Sequence, residues 1–146
     1  MDNLKPVKPP VWYWVIVIIL LLWAFVGVTF YYLEQTMSEA KYLEIYGQDL
    51  SEMRRRIPTW STAAYAFGVW GGLLGVIGLL FRRKWATPVY IVSLFGALGA
   101  WGWNVADDVG RASLSEGGWV MLVLVIGLCI FQIVFARRMT AKGILR

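Results

Sequence analysis

Residues 11–33 form an apolar run without a single charged side chain, and this run constrains the fold more than any other feature. Its interior reads VIVIILLLWAFVGV. A bilayer core about 30 Å thick is crossed by roughly 20 helical residues, because each residue adds about 1.5 Å along the axis. The apolar region of a secretory signal peptide is shorter, about 7–15 residues. The run therefore predicts a transmembrane helix that is retained in the protein.

Three more stretches have the length and polarity of a membrane span, namely residues 60–81, 85–106 and 118–136. Irregular backbone cannot face lipid, because its polar groups would lack hydrogen-bond partners, so each stretch is expected to be helical. Only 16% of the residues are charged, against about 25% in soluble domains. Residues 1–146 are therefore predicted to form one all-α integral membrane domain, a bundle of four transmembrane helices.

The residue types present argue against several kinds of chemistry. The sequence has no histidine, and Cys129 is its only cysteine and lies in an apolar run. Disulfides, Cys/His zinc sites, haem bound by histidine and His-based catalysis are therefore not expected. We predict that the protein is not an enzyme and binds neither a metal nor a cofactor.

Lysine and arginine residues predict the orientation. Nine of the 14 lie in the two tails and in the connection between the second and third spans, at positions Lys5, Lys8, Arg82, Arg83, Lys84, Arg137, Arg138, Lys142 and Arg146. The positive-inside rule then places both termini in the cytoplasm. The cluster Arg54, Arg55 and Arg56 is discordant, since it lies on the outer side close to the second span. We attribute the net charge of +5 to this topology and not to nucleic-acid binding.

An amphipathic helix is predicted over residues 37–57, on the outer side between the first two spans. Thr36 and Glu39 have the spacing of a capping box. Apolar side chains then recur in steps of three and four, as on one helix face, at Tyr42, Tyr46, Leu50, Met53 and Ile57. Pro58 ends the pattern. The helix is either a simple connector, or a lid or docking surface over the bundle.

Small residues at a spacing of four mark the second span, and the third span carries more of them. This spacing lets membrane helices approach closely. Only three residues separate the two spans, so they should form a tight antiparallel hairpin. The residues predicted to pack helices together, within one chain or between chains, are Ala64, Gly68, Gly71, Gly72, Gly75 and Gly96.

Aromatic, amide and carboxylate side chains gather at the outer end of the third span. Indole faces beside such acceptors suit a sugar-like ring, although an aromatic belt followed by an acidic loop has the same composition. The candidate ligand-binding residues are Trp101, Trp103, Asn104, Asp107 and Asp108.

Several segments together resemble a family of short bacterial four-helix membrane proteins. They are PTWSTAAYAF (58–67), WGGLLG (70–75), RRKWA (82–86) and RRMTAKG (137–143), with Pro88, Ser93 and Leu94 between them. Many members carry the loose label "sugar transporter". The resemblance implies the four-helix fold and a location in the bacterial inner membrane, and it implies no particular site residue.

Two functions follow from these observations. One is an accessory or scaffold subunit that packs against other membrane protein chains in an inner-membrane complex. The alternative is a transporter of a small uncharged solute such as a sugar, working as an oligomer. No charged residue lies deep in a span, which counts against an ion-coupled pump. We favour the accessory subunit, with the lipid bilayer and other membrane chains as its partners.

Overall fold

The structure, a computed structural model, describes residues 7–46, 55–112, 114 and 116–146, with only the backbone of Glu39, Tyr42 and Tyr46. Within these ranges the regular structure is entirely helical. The described helices are α1 (Val11–Thr36), α2 (Glu39–Tyr46), α3 (Thr59–Leu80), α4 (Ala86–Ala106), α5 (Asp108–Ala112) and α6 (Glu116–Ala141).

Helices α1, α3, α4 and α6 are each long and apolar enough to cross a membrane. They pack against one another, which confirms the predicted all-α bundle of four spans and makes the chain a multi-pass membrane protein. Two of them end several residues beyond the predicted bounds. α1 continues to Thr36 and α6 to Ala141, since a helix satisfies its backbone hydrogen bonds equally well beyond the apolar core, where polar side chains reach water.

The four spans alternate in direction. α3 and α4 form a close hairpin, α1 packs on α3, and α6 packs on α4. The Tyr13 hydroxyl, at the start of α1, donates a hydrogen bond of 2.6 Å to the carbonyl of Leu79 near the end of α3. Phe135, near the end of α6, stacks on the Tyr13 ring at 5.7 Å. The described chain ends and the α3–α4 turn therefore share one end of the bundle, called here the turn end, and the opposite end is the loop end.

The core is concentrated at the turn end, where residues 142–146 fold back onto the bundle. Ile144 and Leu145 in this segment are only 2% and 1% exposed. Arg82, in the turn, adopts a left-handed φ of 57°. Its side chain donates hydrogen bonds to the carbonyls of Ile144 at 3.1 Å and Val7 at 2.7 Å. Arg82 thus ties both ends of the described chain to the turn, a structural role that its place in a cationic cluster did not reveal.

The predicted capping box before α2 is wrong. Thr36 is the last residue of α1, and its hydroxyl donates to the carbonyl of Tyr32 at 2.8 Å. The hydroxyl is therefore engaged within α1 and does not cap the next helix. Ser38 takes that place, since its Oγ accepts the backbone N–H of Lys41 at 3.2 Å.

The rest of the predicted amphipathic helix is only partly visible. α2 occupies the start of the predicted range 37–57. Residues 47–54, which include Leu50 and Met53, lie outside the described residues, as do the side chains of Tyr42 and Tyr46. The apolar face of this helix therefore stays a prediction. Lys5 and Arg54, two of the cations counted for orientation, also lie outside the described residues.

Candidate functional site

The α3–α4 contact is built from glycines whose missing side chains let the two backbones touch. A Cβ on Gly96 would lie 2.5 Å from the carbonyl oxygen of Ala64 and 2.5 Å from the amide nitrogen of Gly68. Both atoms belong to the α3 backbone, so they cannot move aside as a flexible side chain would. The structure thus brings these three predicted packing residues into one contact.

The same contact continues toward the turn end. A Cβ on Gly71 would lie 3.0 Å from the Cβ of Ser93, and one on Gly75 would lie 2.5 Å from the Tyr90 ring. Gly72 is different, because its Cβ would meet only the Ser93 hydroxyl at an ordinary 3.7 Å. Five of the six predicted residues therefore lie where the helices are closest, and Gly72 lies at the margin.

Two further glycines have the same close packing. A Cβ on Gly78 would lie 3.0 Å from that of Ala86, and one on Gly99 would lie 2.9 Å from that of Ala64. Each follows a predicted packing residue by three positions, a step that also keeps residues on one helix face. A search for small residues three positions apart, in addition to four, would have included Gly78 and Gly99 among the predicted packing residues.

Polar side chains inside the bundle bind its own backbone. The Ser93 hydroxyl donates to the carbonyl of Gly68 at 2.6 Å, across the hairpin. The Tyr13 hydroxyl bonds in the same way to α3, and the Thr140 hydroxyl donates to Ala136 of its own helix at 2.8 Å. A polar group at membrane depth must find a partner within the protein, and these three find one in backbone carbonyls of the bundle.

Four polar side chains on α4 and α6, two helices that pack on each other, are buried, and we call them the buried polar cluster: Tyr90, Ser93, Cys129 and Gln132. Cys129 lies close to Ser93. Tyr90 and Gln132 each lie one helical turn further toward the turn end, on antiparallel helices, so they occupy the same level. Tyr90 is 0% exposed and Gln132 only 3%. Among the described residues, the Tyr90 hydroxyl has no hydrogen-bond partner.

At the loop end, the candidate ligand residue Asp107 forms hydrogen bonds within the protein. Asp107 accepts the backbone N–H groups of Val109 and Gly110, both at 3.1 Å, and thereby caps the short helix α5. It also accepts a hydrogen bond of 2.9 Å from the guanidinium of Arg56. Arg56, with the backbone N–H of Gly110, holds the pKa of Asp107 below its ordinary value.

The remaining candidates each have contacts within the protein. Trp103 is buried, with its ring against Gly110, whereas Trp101 is half-buried and, two positions earlier, points about 200° away around the helix. The Asn104 amide donates to the carbonyl of Ala100 at 3.1 Å. Asp108 forms an ion pair with Arg111 at 2.7 Å. The structure therefore gives Trp103 and Asp107 a role in seating α5.

Arg56 was missed as a partner of Asp107. The sequence showed only a discordant cationic cluster near the second span, and the ion pair joins positions 51 residues apart. An acidic connection on the same side of the membrane is the one signal that could have indicated the pairing. The salt bridge links the two connections at the loop end.

An open apolar groove of about 540 Å³ lies along the hairpin. Its α3 face is turned away from α1, since α1 contacts α3 on the side of Tyr65, whose ring lies 5.2 Å from that of Tyr31. Small and large apolar residues line the groove: Ala63, Ala66, Phe67, Trp70, Gly71 and Leu74 from α3, and Pro88, Val89 and Val92 from α4. None of the candidate ligand residues contributes to it.

Comparisons of the chain with protein-family models, curated proteins and solved structures find no match. The resemblance to short bacterial four-helix proteins therefore stays a prediction. In the part of the chain that the structure describes, no three His, Cys, Asp or Glu side chains group as metal ligands would.

Proposed function

We propose that this protein is an accessory or scaffold subunit of an inner-membrane complex, which acts through the packing of its helices. The proposal rests on one observation: polar side chains of the bundle form hydrogen bonds within the bundle. Ser93 and Tyr13 bind backbone carbonyls of α3, and Asp107 caps α5. These groups stabilise the bundle itself. We therefore expect the bundle to contact other molecules through its apolar outer surface.

That outer surface is extensive. α1 exposes large apolar side chains along its length, among them Ile19, Leu22 and Phe25, which are 58%, 60% and 52% exposed. α6 does the same with Val120 and Val123, at 66% and 68%. Such faces suit lipid and the helices of other membrane proteins equally. A subunit that works by packing requires this arrangement and needs no catalytic group.

We further propose that the turn end faces the cytoplasm of a bacterial cell. Exposed cations cluster there, including Arg83, Lys84, Arg137 and Arg138, as the positive-inside rule requires. A reporter enzyme that is active only in the cytoplasm, fused after Arg146, should be active. An inactive fusion, together with an active periplasmic reporter at the same position, would reverse the orientation.

Purification in a gentle detergent tests the subunit role. A tagged chain expressed at its natural level should recover one or more other membrane proteins in fixed stoichiometry. A matched sample that carries an unrelated tagged four-helix membrane protein should not recover them. Isolation of the chain alone, or only as a homo-oligomer, would contradict the accessory role.

A transporter of a small uncharged solute is the second candidate, and the buried polar cluster is the observation that favours it. The Tyr90 phenol and the Gln132 amide offer hydrogen bonds inside the bundle, without an ionisable group that is charged at neutral pH. Purified chain in liposomes should then take up labelled sugar, and Gln132→Leu should abolish uptake. Uptake no faster than in empty liposomes would exclude this candidate.

A further inference from the structure

The apolar groove leads directly to a pair of exposed cations at the turn end. Backbone hydrogen bonds continue the helical path of α4 backward through the turn, from Ala86 to Arg83 at 3.3 Å and from Thr87 to Lys84 at 3.2 Å. Lys84 therefore lies about one turn before the groove residue Pro88. The α4 side of the groove thus ends within about one turn of Lys84.

Aromatic rings flank the same end. Trp85 precedes the groove residue Val89 by one turn, and its backbone carbonyl accepts the Val89 N–H at 3.4 Å. Phe81 follows the groove residue Leu74 by two turns on α3. These two rings are 43% and 70% exposed, at the level where aromatic side chains meet lipid headgroups. The groove thus runs from an apolar interior, past two rings, to two cations.

The positive charges at the turn end of the groove favour a ligand with a negatively charged group. Arg83 and Lys84 are both exposed. Every described aspartate and glutamate lies at the loop end, so at the turn end no described carboxylate side chain competes for these cations. The Arg146 oxygen nearest to them accepts the backbone N–H of Lys84 at 3.0 Å. A phosphate group bound here would gain charge-assisted hydrogen bonds.

We propose that the groove binds one acyl chain of an anionic phospholipid, whose headgroup phosphate is held by Arg83 and Lys84. A second copy of the chain fits the groove less well. Two copies inserted in the same direction and related by a two-fold axis would face each other through the same surface, which would bring both Arg83–Lys84 pairs together at one level. A lipid with a negative headgroup neutralises these charges, whereas a second copy doubles them.

Native mass spectrometry of the full chain in detergent tests the site, with added phosphatidylglycerol and with zwitterionic phosphatidylethanolamine of the same acyl chains. The wild type should retain phosphatidylglycerol more tightly. The double variant Arg83→Gln/Lys84→Gln should lose affinity by roughly fivefold for each cation removed. The control, Arg137→Gln/Arg138→Gln, removes the same charge at the same end from α6, which does not line the groove. It should bind nearly as well as the wild type.

A third variant tests the acyl chain separately. Ala66→Phe places a ring in the groove without changing the charge, and it should weaken phosphatidylglycerol binding while the cations remain. Equal loss in the two charge variants, or unchanged binding by Ala66→Phe, would overturn the proposal. A dimer or a protein partner that is displaced by Ala66→Phe would assign the groove to a helix instead. The proposal is independent of the subunit role, because the purified chain alone suffices for every measurement.

Discussion

Gly96→Ala should separate the two central helices, because the added methyl group would collide with backbone. Its Cβ would lie 2.5 Å from the Ala64 oxygen and the Gly68 nitrogen, whereas ordinary contacts begin at 3.4 Å. Relief of this overlap requires the α3 and α4 backbones to move apart by about 0.9 Å. Overpacking of this kind typically costs 1–3 kcal/mol.

The same movement affects the hydrogen bond between Ser93 and Gly68, since that bond spans the two helices at 2.6 Å. A separation of this size would stretch it to the limit of hydrogen bonding, at a further cost of about 1 kcal/mol. Alanine regains up to about 1 kcal/mol of helix propensity over glycine. The free energy of unfolding should therefore fall by about 1–3 kcal/mol in the Gly96→Ala variant.

Gly102→Ala is the matched control, because it makes the same change on the same helix with nothing within 4 Å of the new Cβ. Its unfolding free energy should equal or slightly exceed that of the wild type. Gly68→Ala, whose Cβ would lie 3.2 Å from the Ala97 nitrogen, should fall between the two. Circular dichroism during titration of mixed micelles with sodium dodecyl sulfate measures all three. Equal stability of the Gly96 and Gly102 variants would refute the close packing of α3 on α4.

Three other predictions concern the ends of the bundle. Tyr13→Phe should lower the unfolding free energy by about 1 kcal/mol in the same titration, because it removes one buried hydrogen bond; unchanged stability would contradict that bond. The pKa of Asp107 is lower in the folded protein than in the unfolded chain, where it is about 3.9. The carboxylate therefore stabilises the fold at pH values above about 3.9, and this stabilisation is lost as the pH falls through the lower pKa of the folded state. Asp107→Asn should therefore destabilise the protein at neutral pH and much less in strong acid, whereas an equal effect at both would argue against the Arg56 ion pair. Arg82→Gln should speed proteolysis of both chain ends, because it removes the hydrogen bonds to Val7 and Ile144. The neighbouring Arg83→Gln should leave the proteolysis rate unchanged, and equal rates in the two variants would contradict the role of Arg82 in holding the chain ends.

Much of the glycine contact could be predicted from the sequence, whereas the use of the polar residues could not. The spacing of four between Ala64 and Gly68, and between Gly71 and Gly75, is a local property, and it indicated a close contact before any partner was known. Asp107 gave no such signal. Its role depends on Arg56, which a separate part of the chain delivers to the same end of the bundle.

Hydropathy by itself determined the class of this protein, the number of its spans and their approximate bounds. It could do so because the cost of placing a charge or an open backbone group in lipid is a property of each short segment. Only the tertiary structure decided how each helix is rotated about its axis. That rotation leaves the Tyr90 hydroxyl without a hydrogen-bond partner among the described residues and forms the groove between α3 and α4. The tertiary structure also brings residues 142–146 back to Arg82. These features depend on contacts between distant segments, and no local pattern in the sequence encodes them.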